Sequence, residues 1–278
     1  MMRSGSKAAR WALAWPLALT FASSACGPRP IALPTGPTRP MPDSVRAFEE
    51  ATAGCRGVRT ITAELSLSGR AGSQKLRGRI IAGLERPGSM RLEGVAPFGQ
   101  PVFIMVARAG RATLLLPRDG RLLADASPTA VFEALAGIPL DADDLLAILS
   151  GCLSADPRPL RGRIYGGGWS AVDLAGGVTA YLQQEGDRWR VRAGTREQLT
   201  IEYADFVGDR ARRVRLRMDG NASVAKSDLT LGLSQVDTNV AIDPKAFSVL
   251  VPEGAVPLTV EELRRLGPLG NEGEVVRQ

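Results

Sequence analysis

Thr60-Ile61-Thr62-Ala63-Glu64-Leu65-Ser66-Leu67-Ser68 decides the fold class, because polar and apolar side chains alternate residue by residue. A period of two places Ile61, Ala63, Leu65 and Leu67 on one face of a strand and the polar set on the other. That is the pattern of an antiparallel sheet with one dry face and one wet face. The alternation continues on both sides of this stretch. Leu76, Ile80, Ala82 and Leu84 lie among Lys75, Arg77 and Arg79, and Leu92 lies between Arg91 and Glu93. Farther on, Trp189 and Val191 alternate with Arg188, Arg190 and Arg192. Val214, Leu216 and Met218 alternate with Arg213, Arg215, Arg217 and Asp219, and Leu229, Leu231 and Leu233 with Thr230, Gly232 and Ser234. Residues 102–107 and 112–116 are apolar at nearly every position, so both faces of these strands are expected to be covered. Turn signals at Arg118-Asp119-Gly120, Gly176-Gly177 and Asp219-Gly220-Asn221 punctuate the pattern, which gives about eleven strands.

Three segments depart from this period. Asp43-Ser44 predicts a capped helix running to Gly54, with Val45, Phe48 and Ala51 on one face. Ser127 reads as an N-cap followed by Pro128 at the first helical position, and Val131, Phe132 and Leu135 follow before Gly137. Asp141 caps a third helix with Asp144 three residues on, and Leu145, Ile148 and Leu149 follow before Gly151. Strands, two short helices, then strands again describe a mainly β chain of the α+β kind: one curved sheet with a helical insertion. Helices this rich in leucine must lie on apolar surface, and the concave side of the sheet offers it.

The chain has 278 residues, enough for one large domain or two small ones, and its 44% apolar content is enough to bury a core. It has no histidine, which removes histidine triads, histidine metal sites and the commonest general base. Its three cysteines cannot form a four-cysteine zinc site. No catalytic group, metal site or cofactor is expected, and the composition leans away from an enzyme. No apolar run reaches the roughly 18 residues of a membrane-spanning helix.

Residues 1–25 read as a secretory signal peptide: Arg3, Lys7 and Arg10, the apolar stretch Trp11 to Ala22, then Ser23-Ser24-Ala25. Without them 253 residues remain, with a formal charge of +3, and nucleic acid is not an expected partner of an exported chain so weakly basic. Residues 26–42 carry prolines at 28, 30, 34, 37, 40 and 42, the composition of an extended tether.

Two sets of residues resemble known families. Ser23-Ser24-Ala25-Cys26 resembles the lipobox of bacterial lipoproteins, with Ser23 where Leu is usual. The resemblance implies that Cys26 becomes the lipidated first residue, carrying palmitate-type chains. The same residues fit ordinary signal peptidase, which would leave Cys26 bare. Gly27 stands where an aspartate would favour retention at the inner membrane, so the implied location is the periplasmic side of the outer membrane. Val95-Ala96-Pro97-Phe98-Gly99-Gln100-Pro101-Val102-Phe103 resembles the strand–loop–strand of the LolB family of outer-membrane lipoprotein receptors. Leu135-Ala136-Gly137-Ile138-Pro139-Leu140, with Asp144-Leu145-Leu146 and Ile148-Leu149-Ser150-Gly151, is similar to that family's helix pair. The resemblance covers residues 58–235, more thinly in the second half. It implies a half-open antiparallel β-barrel over 43–250 closed by a helical lid at 127–151, with 251–278 as a C-terminal extension beyond the family pattern.

By the same resemblance, the protein would be a monomeric LolB-like chaperone of protein transport. It would bind lipoprotein acyl chains or another lipid, receive them from a LolA-like periplasmic carrier and touch the membrane through its anchor. Pro97, Phe98 and Gly99 would form the loop that meets membrane or acyl chain; a Phe98 folded back over the barrel rim is the other reading. An acyl cavity would be lined by Leu65, Ile80, Leu92, Phe103, Met105, Leu114 and Leu116. The lid would add Val131, Leu135, Leu145, Ile148 and Leu149, and the later strands Trp189, Leu216, Leu229 and Leu231. Each buried methylene contributes about 0.8 kcal/mol, so such a site needs apolar surface and few polar groups. The same side chains also describe an ordinary packed core, and a structural or envelope-assembly lipoprotein using the fold as a scaffold is the alternative function.

Four further patterns have ordinary readings. Ser223-Val224-Ala225-Lys226 has the S-x-x-K spacing of serine acyl-enzymes without its companion motifs, and reads as a turn. Asp141, Asp143 and Asp144 suit a helix N-terminus better than a calcium loop. Gly166-Gly167-Gly168 is followed by Trp169 where a phosphate loop needs lysine, so it reads as a bend. Arg210, Arg212, Arg213, Arg215 and Arg217 form a strand face open to solvent or to anionic headgroups. Lipidation of Cys26 would leave Cys55 and Cys152, each directly after a glycine at an expected helix end. In an oxidising compartment these two are expected to form a disulfide.

Overall fold

The computed structural model describes residue 1 and residues 30–95, 101–220 and 226–266. The signal peptide, Cys26, the loop Pro97, Phe98 and Gly99, residues 221–225 of the S-x-x-K turn and residues 267–278 lie outside the described residues.

Two meanders build one sheet. The first comprises β2 (Thr60–Ala71), β3 (Gln74–Glu85), β4 (Ser89–Val95), β5 (Phe103–Arg108), β6 (Arg111–Leu116) and β7 (Arg121–Ala126). The second comprises β8 (Pro159–Ile164), β9 (Trp169–Leu174), β10 (Val178–Glu185), β11 (Arg188–Arg196), β12 (Leu199–Val207), β13 (Arg210–Met218) and β14 (Ser227–Thr238). Each strand pairs antiparallel with its neighbour in sequence. The last strand, β14, then pairs antiparallel with β2, which fuses the two meanders through a contact between residues about 170 apart. Two-residue strands close the edges: β1 (Arg39–Pro40) on β8, and β15 (Val256–Pro257) parallel to β7. The sheet is open, so its concave face must be covered by something else.

The alternation sets the inner face. Leu65 stands opposite Ile80 on one side and Leu233 on the other, and Leu67 opposite Leu231. Leu92 faces Met105, and Leu229 faces Leu216, so apolar pairs run across the strands in register. All of these side chains are buried. Phe103, Met105, Val106 and Ala107 of β5 are buried as well, and the outer side of β4 and β5 meets a 3-10 turn at Pro244–Phe247, whose Phe247 is buried. That turn is the second cover the apolar run required.

The helices are α1 (Ser44–Ala51), α2 (Ala53–Arg56), α3 (Pro128–Ala136), α4 (Ala142–Ser150) and α5 (Val260–Leu266). The first expected helix is corrected in two respects. Asp43 makes no side-chain capping bond; it lies 3.5 Å from Arg46 instead. The chain also does not stop at Gly54. Thr52 breaks the helix, its hydroxyl donating to the Phe48 carbonyl at 2.7 Å, and α2 carries Cys55 inside it before ending at Gly57. Gly54 was expected to end the helix as Gly151 does, but only Gly151 has the left-handed φ, of 99°, that ends one. Residues 256–266 are tied to the sheet and the lid. The Val256 and Leu258 amides donate to the carbonyls of Gly120 and Leu122 at 2.8 and 2.7 Å, and α5 packs on α3 with Leu258 and Leu263 buried.

Candidate functional site

The lid starts where the sequence places it. Ser127 has extended backbone with no side-chain capping bond, Pro128 occupies the first turn, and α3 ends at Gly137 with φ 69°. Gly137 answers two demands at once: the left-handed conformation, and a close approach in which a Cβ would collide with the Ser227 hydroxyl and touch the Ala71 methyl. At α4 the Asp141 carboxylate accepts from the Asp144 amide at 2.8 Å.

Four bonds hold α4. Asp144 accepts two hydrogen bonds from the Arg196 guanidinium, at 2.8 and 3.0 Å, which raises the Arg196 pKa. The Gly88 amide donates to Asp143 at 3.1 Å. The Tyr203 hydroxyl donates to the Ile148 carbonyl at 3.0 Å, and complete burial pushes the Tyr203 pKa far up, so it stays a neutral donor. The fourth is a disulfide between Cys55 and Cys152, with Cα atoms 5.7 Å apart, which fastens the residue after the α4 cap to α2. By contrast, no hydrogen bond or ion pair ties α3 to the sheet among the described residues. It rests on apolar contacts with β6 and on α5.

Between the lid and the sheet lies a cavity of about 60 Å³ whose wall, among the described residues, has no polar surface. Nine of the expected residues line it: Leu65, Ile80, Leu92, Phe103, Leu135, Leu145, Leu216, Leu229 and Leu231. The Phe103 ring lies over Gly94, where any Cβ would strike it. Met105, Leu114, Leu116, Val131, Ile148 and Leu149 are fully buried in the same apolar cluster but do not reach the wall. Trp189 is placed elsewhere. Its ring borders a separate cleft with Phe206 and Ala51, and its amide donates to Glu50 at 3.0 Å. Leu67, Phe132, Ala136, Ile138 and Leu140 complete the wall and were missing from the expected set. Leu67 continues the β2 alternation, and Phe132 and Ala136 share a helix face, so periodicity carried a signal for these three.

The other patterns resolve into local structure. Gly167 and Gly168 adopt positive φ in the turn between β8 and β9. The arginine row is largely neutralised: Arg213 pairs with Asp205 at 2.8 Å, Arg215 with Asp228 at 2.6 Å and Arg217 with Glu202 at 3.0 Å. The Arg215 guanidinium holds the Asp228 carboxyl below its ordinary pKa.

No known family profile matches the sequence, and no curated protein matches it. Among solved structures, a LolA-superfamily protein from Nitrosomonas europaea is 10% identical with a TM-score of 0.48, over 73% of this chain and 96% of that one. A DUF1329 family protein from Desulfovibrio piger is 9% identical with a TM-score of 0.45, over 73% and 96%. The lipoprotein LppX of Mycobacterium tuberculosis is 10% identical with a TM-score of 0.31, over 73% and 99%. The functional reading therefore rests on this chain's own cavity and lid.

Proposed function

We propose that this chain is a lipid-handling binding protein of the bacterial envelope, anchored through Cys26, that takes acyl chains between its sheet and its lid. In the finer form of this reading it sits on the periplasmic side of the outer membrane and receives the acyl chains of lipoproteins from a LolA-like carrier. The single observation that supports it is a cavity wall without polar surface beneath a two-helix lid whose helices are unequally held. Nothing in that wall could orient or activate a polar substrate, whereas a hydrocarbon asks only for burial.

The cavity of about 60 Å³ is far below the roughly 300 Å³ at which ligand pockets begin, so this reading requires the site to open before it takes a chain. Opening falls to α3, because α4 is bonded at four points and α3 is not. About ten methylenes buried would release on the order of 8 kcal/mol, which offsets the exposure of part of the α3 face.

An environment-sensitive fatty-acyl probe tests this. Saturable binding at micromolar concentration is expected, and Ala136→Leu, which grows into the void, should weaken it at least tenfold while the melting temperature stays within a few degrees. A well-folded sample that binds no probe would favour the packed-scaffold alternative.

A further inference from the structure

Arg213, Arg215 and Arg217 on β13 are paired with carboxylates, but the cations of the hairpin β2–β3 are not. Arg70 at the end of β2 stands opposite Lys75 on β3, and Arg77 stands opposite Ser68; all three are exposed. Arg70 donates to the Ser73 carbonyl at 2.9 Å within its own turn, which leaves its charge uncompensated. No carboxylate pairs with Arg70, Lys75 or Arg77 among the described residues. Lys226 adjoins them, its carbonyl accepting from the Gly72 amide at 2.8 Å. The one nearby carboxylate on β14, Asp228, is already bonded to Arg215. Residues 221–225, beside Lys226, bring no acidic side chain.

This cationic hairpin end has two neighbours that give it a direction. Gly137, at the end of α3, packs on Ala71 and Ser227, and the residues flanking it, Ala136 and Ile138, line the apolar cavity. The patch therefore lies at the same strand ends as the part of the lid with the fewest bonds, on the outer face of the sheet. The second neighbour is the tether. The Ile31 amide donates to the Glu202 carboxylate at 3.1 Å, and Glu202 pairs with Arg217. Arg217 stands opposite Asp228, and Asp228 opposite Arg70, so the tether docks on the face that carries the patch. Only four residues separate Ile31 from Cys26, and five steps of chain reach at most about 18 Å.

We propose that Arg70, Lys75, Arg77 and Lys226 form the surface by which this protein lies on a bilayer containing anionic phospholipid. The strand ends beside Gly137, where α3 meets the sheet, then lie next to the lipid. The orientation rests on the Cys26 anchor reading; the electrostatic contact does not. The headgroup phosphate is the recognised chemistry, and each cation near an anionic surface adds roughly fivefold to the association constant.

The test uses the full chain carrying Cys26→Ser, so that no acyl anchor contributes, with phosphatidylcholine vesicles made with or without phosphatidylglycerol. Co-sedimentation should rise with phosphatidylglycerol and fall as salt is added. Combined Arg70→Glu, Lys75→Glu and Arg77→Glu should lower it by on the order of a hundredfold or more. A control with the same charge change at the exposed Arg46, Arg111 and Arg188 should retain most of it. Equal sedimentation with pure phosphatidylcholine, or equal loss in the control, would overturn the proposal. So would competition by millimolar inorganic phosphate as strong as that by vesicles, since it would mark a free-phosphate site. Probe binding in solution is measured on the same variants; its loss with vesicle association intact would sink the cavity reading and leave this one standing.

Discussion

Removing the bond between Cys55 and Cys152 is the most quantitative perturbation this structure offers. The cysteines are 97 residues apart, and closing a loop of that length removes about 4.7 kcal/mol of chain entropy from the unfolded state. Cys55→Ala with Cys152→Ala should therefore lower stability by up to that amount, plus a small packing term, since both side chains are buried against Ala147. For a domain of this size, each kcal/mol shifts the melting temperature by roughly 2–4 °C, so a fall of about 10–18 °C is expected. The structure also says how unfolding should proceed. The lid helix α4 keeps its bonds to Arg196, Gly88 and Tyr203, and α2 stays joined through Thr52 to α1, which keeps the fully buried Phe48. Neither partner is released by losing the bond, so unfolding should remain a single transition. Thermal unfolding followed in parallel by far-ultraviolet circular dichroism and tryptophan fluorescence reads both the shift and the cooperativity. A shift below about 3 °C would refute the chain-entropy argument, and a separate early lid transition would refute the account of the other bonds.

Two more outcomes follow from the bonds described. Tyr203→Phe removes a buried donor, but the Ile148 carbonyl keeps its bond from the Gly151 amide at 3.1 Å, so a loss of only about 1 kcal/mol is expected in denaturant unfolding. A loss above about 3 kcal/mol would mean that the hydroxyl anchors more than this carbonyl. Glu262 accepts from Thr259 and from Arg121, which together lower its pKa from 4.5 to about 2. A depressed carboxylate pKa contributes stability above the unfolded value and loses it as pH falls. Protection of the Val256 and Leu258 amides, taken relative to their intrinsic exchange rates, should therefore fall between about pH 4.5 and pH 2, and Glu262→Gln should remove that step; unchanged protection down to pH 2 would contradict it.

What the sequence determined by itself is the face on which each side chain lies. Alternation from Ile61 to Leu67 and from Leu229 to Leu233 is a local property of the pleat, so the inner rows could be read without any partner. The lid was legible for the same reason, since Pro128, Gly137, Asp141 and Gly151 act within one helical turn. Only the tertiary structure decided which strands meet and how far apart two buried surfaces stand. The pairing of β14 with β2 joins segments some 170 residues apart, and nothing in either segment names the other. Among the described residues the sheet has thirteen strands of six residues or more, against about eleven expected from alternation. β8, with its proline and arginines, has no clean period of two, and the two-residue edge strands are too short to have one. Trp189 shares the alternation of its neighbours yet borders another cleft, because a face is a direction and a cavity is a place. The volume of about 60 Å³ was likewise beyond the sequence: the residues that could line a pocket are those that could fill it, and the distance between sheet and lid decides.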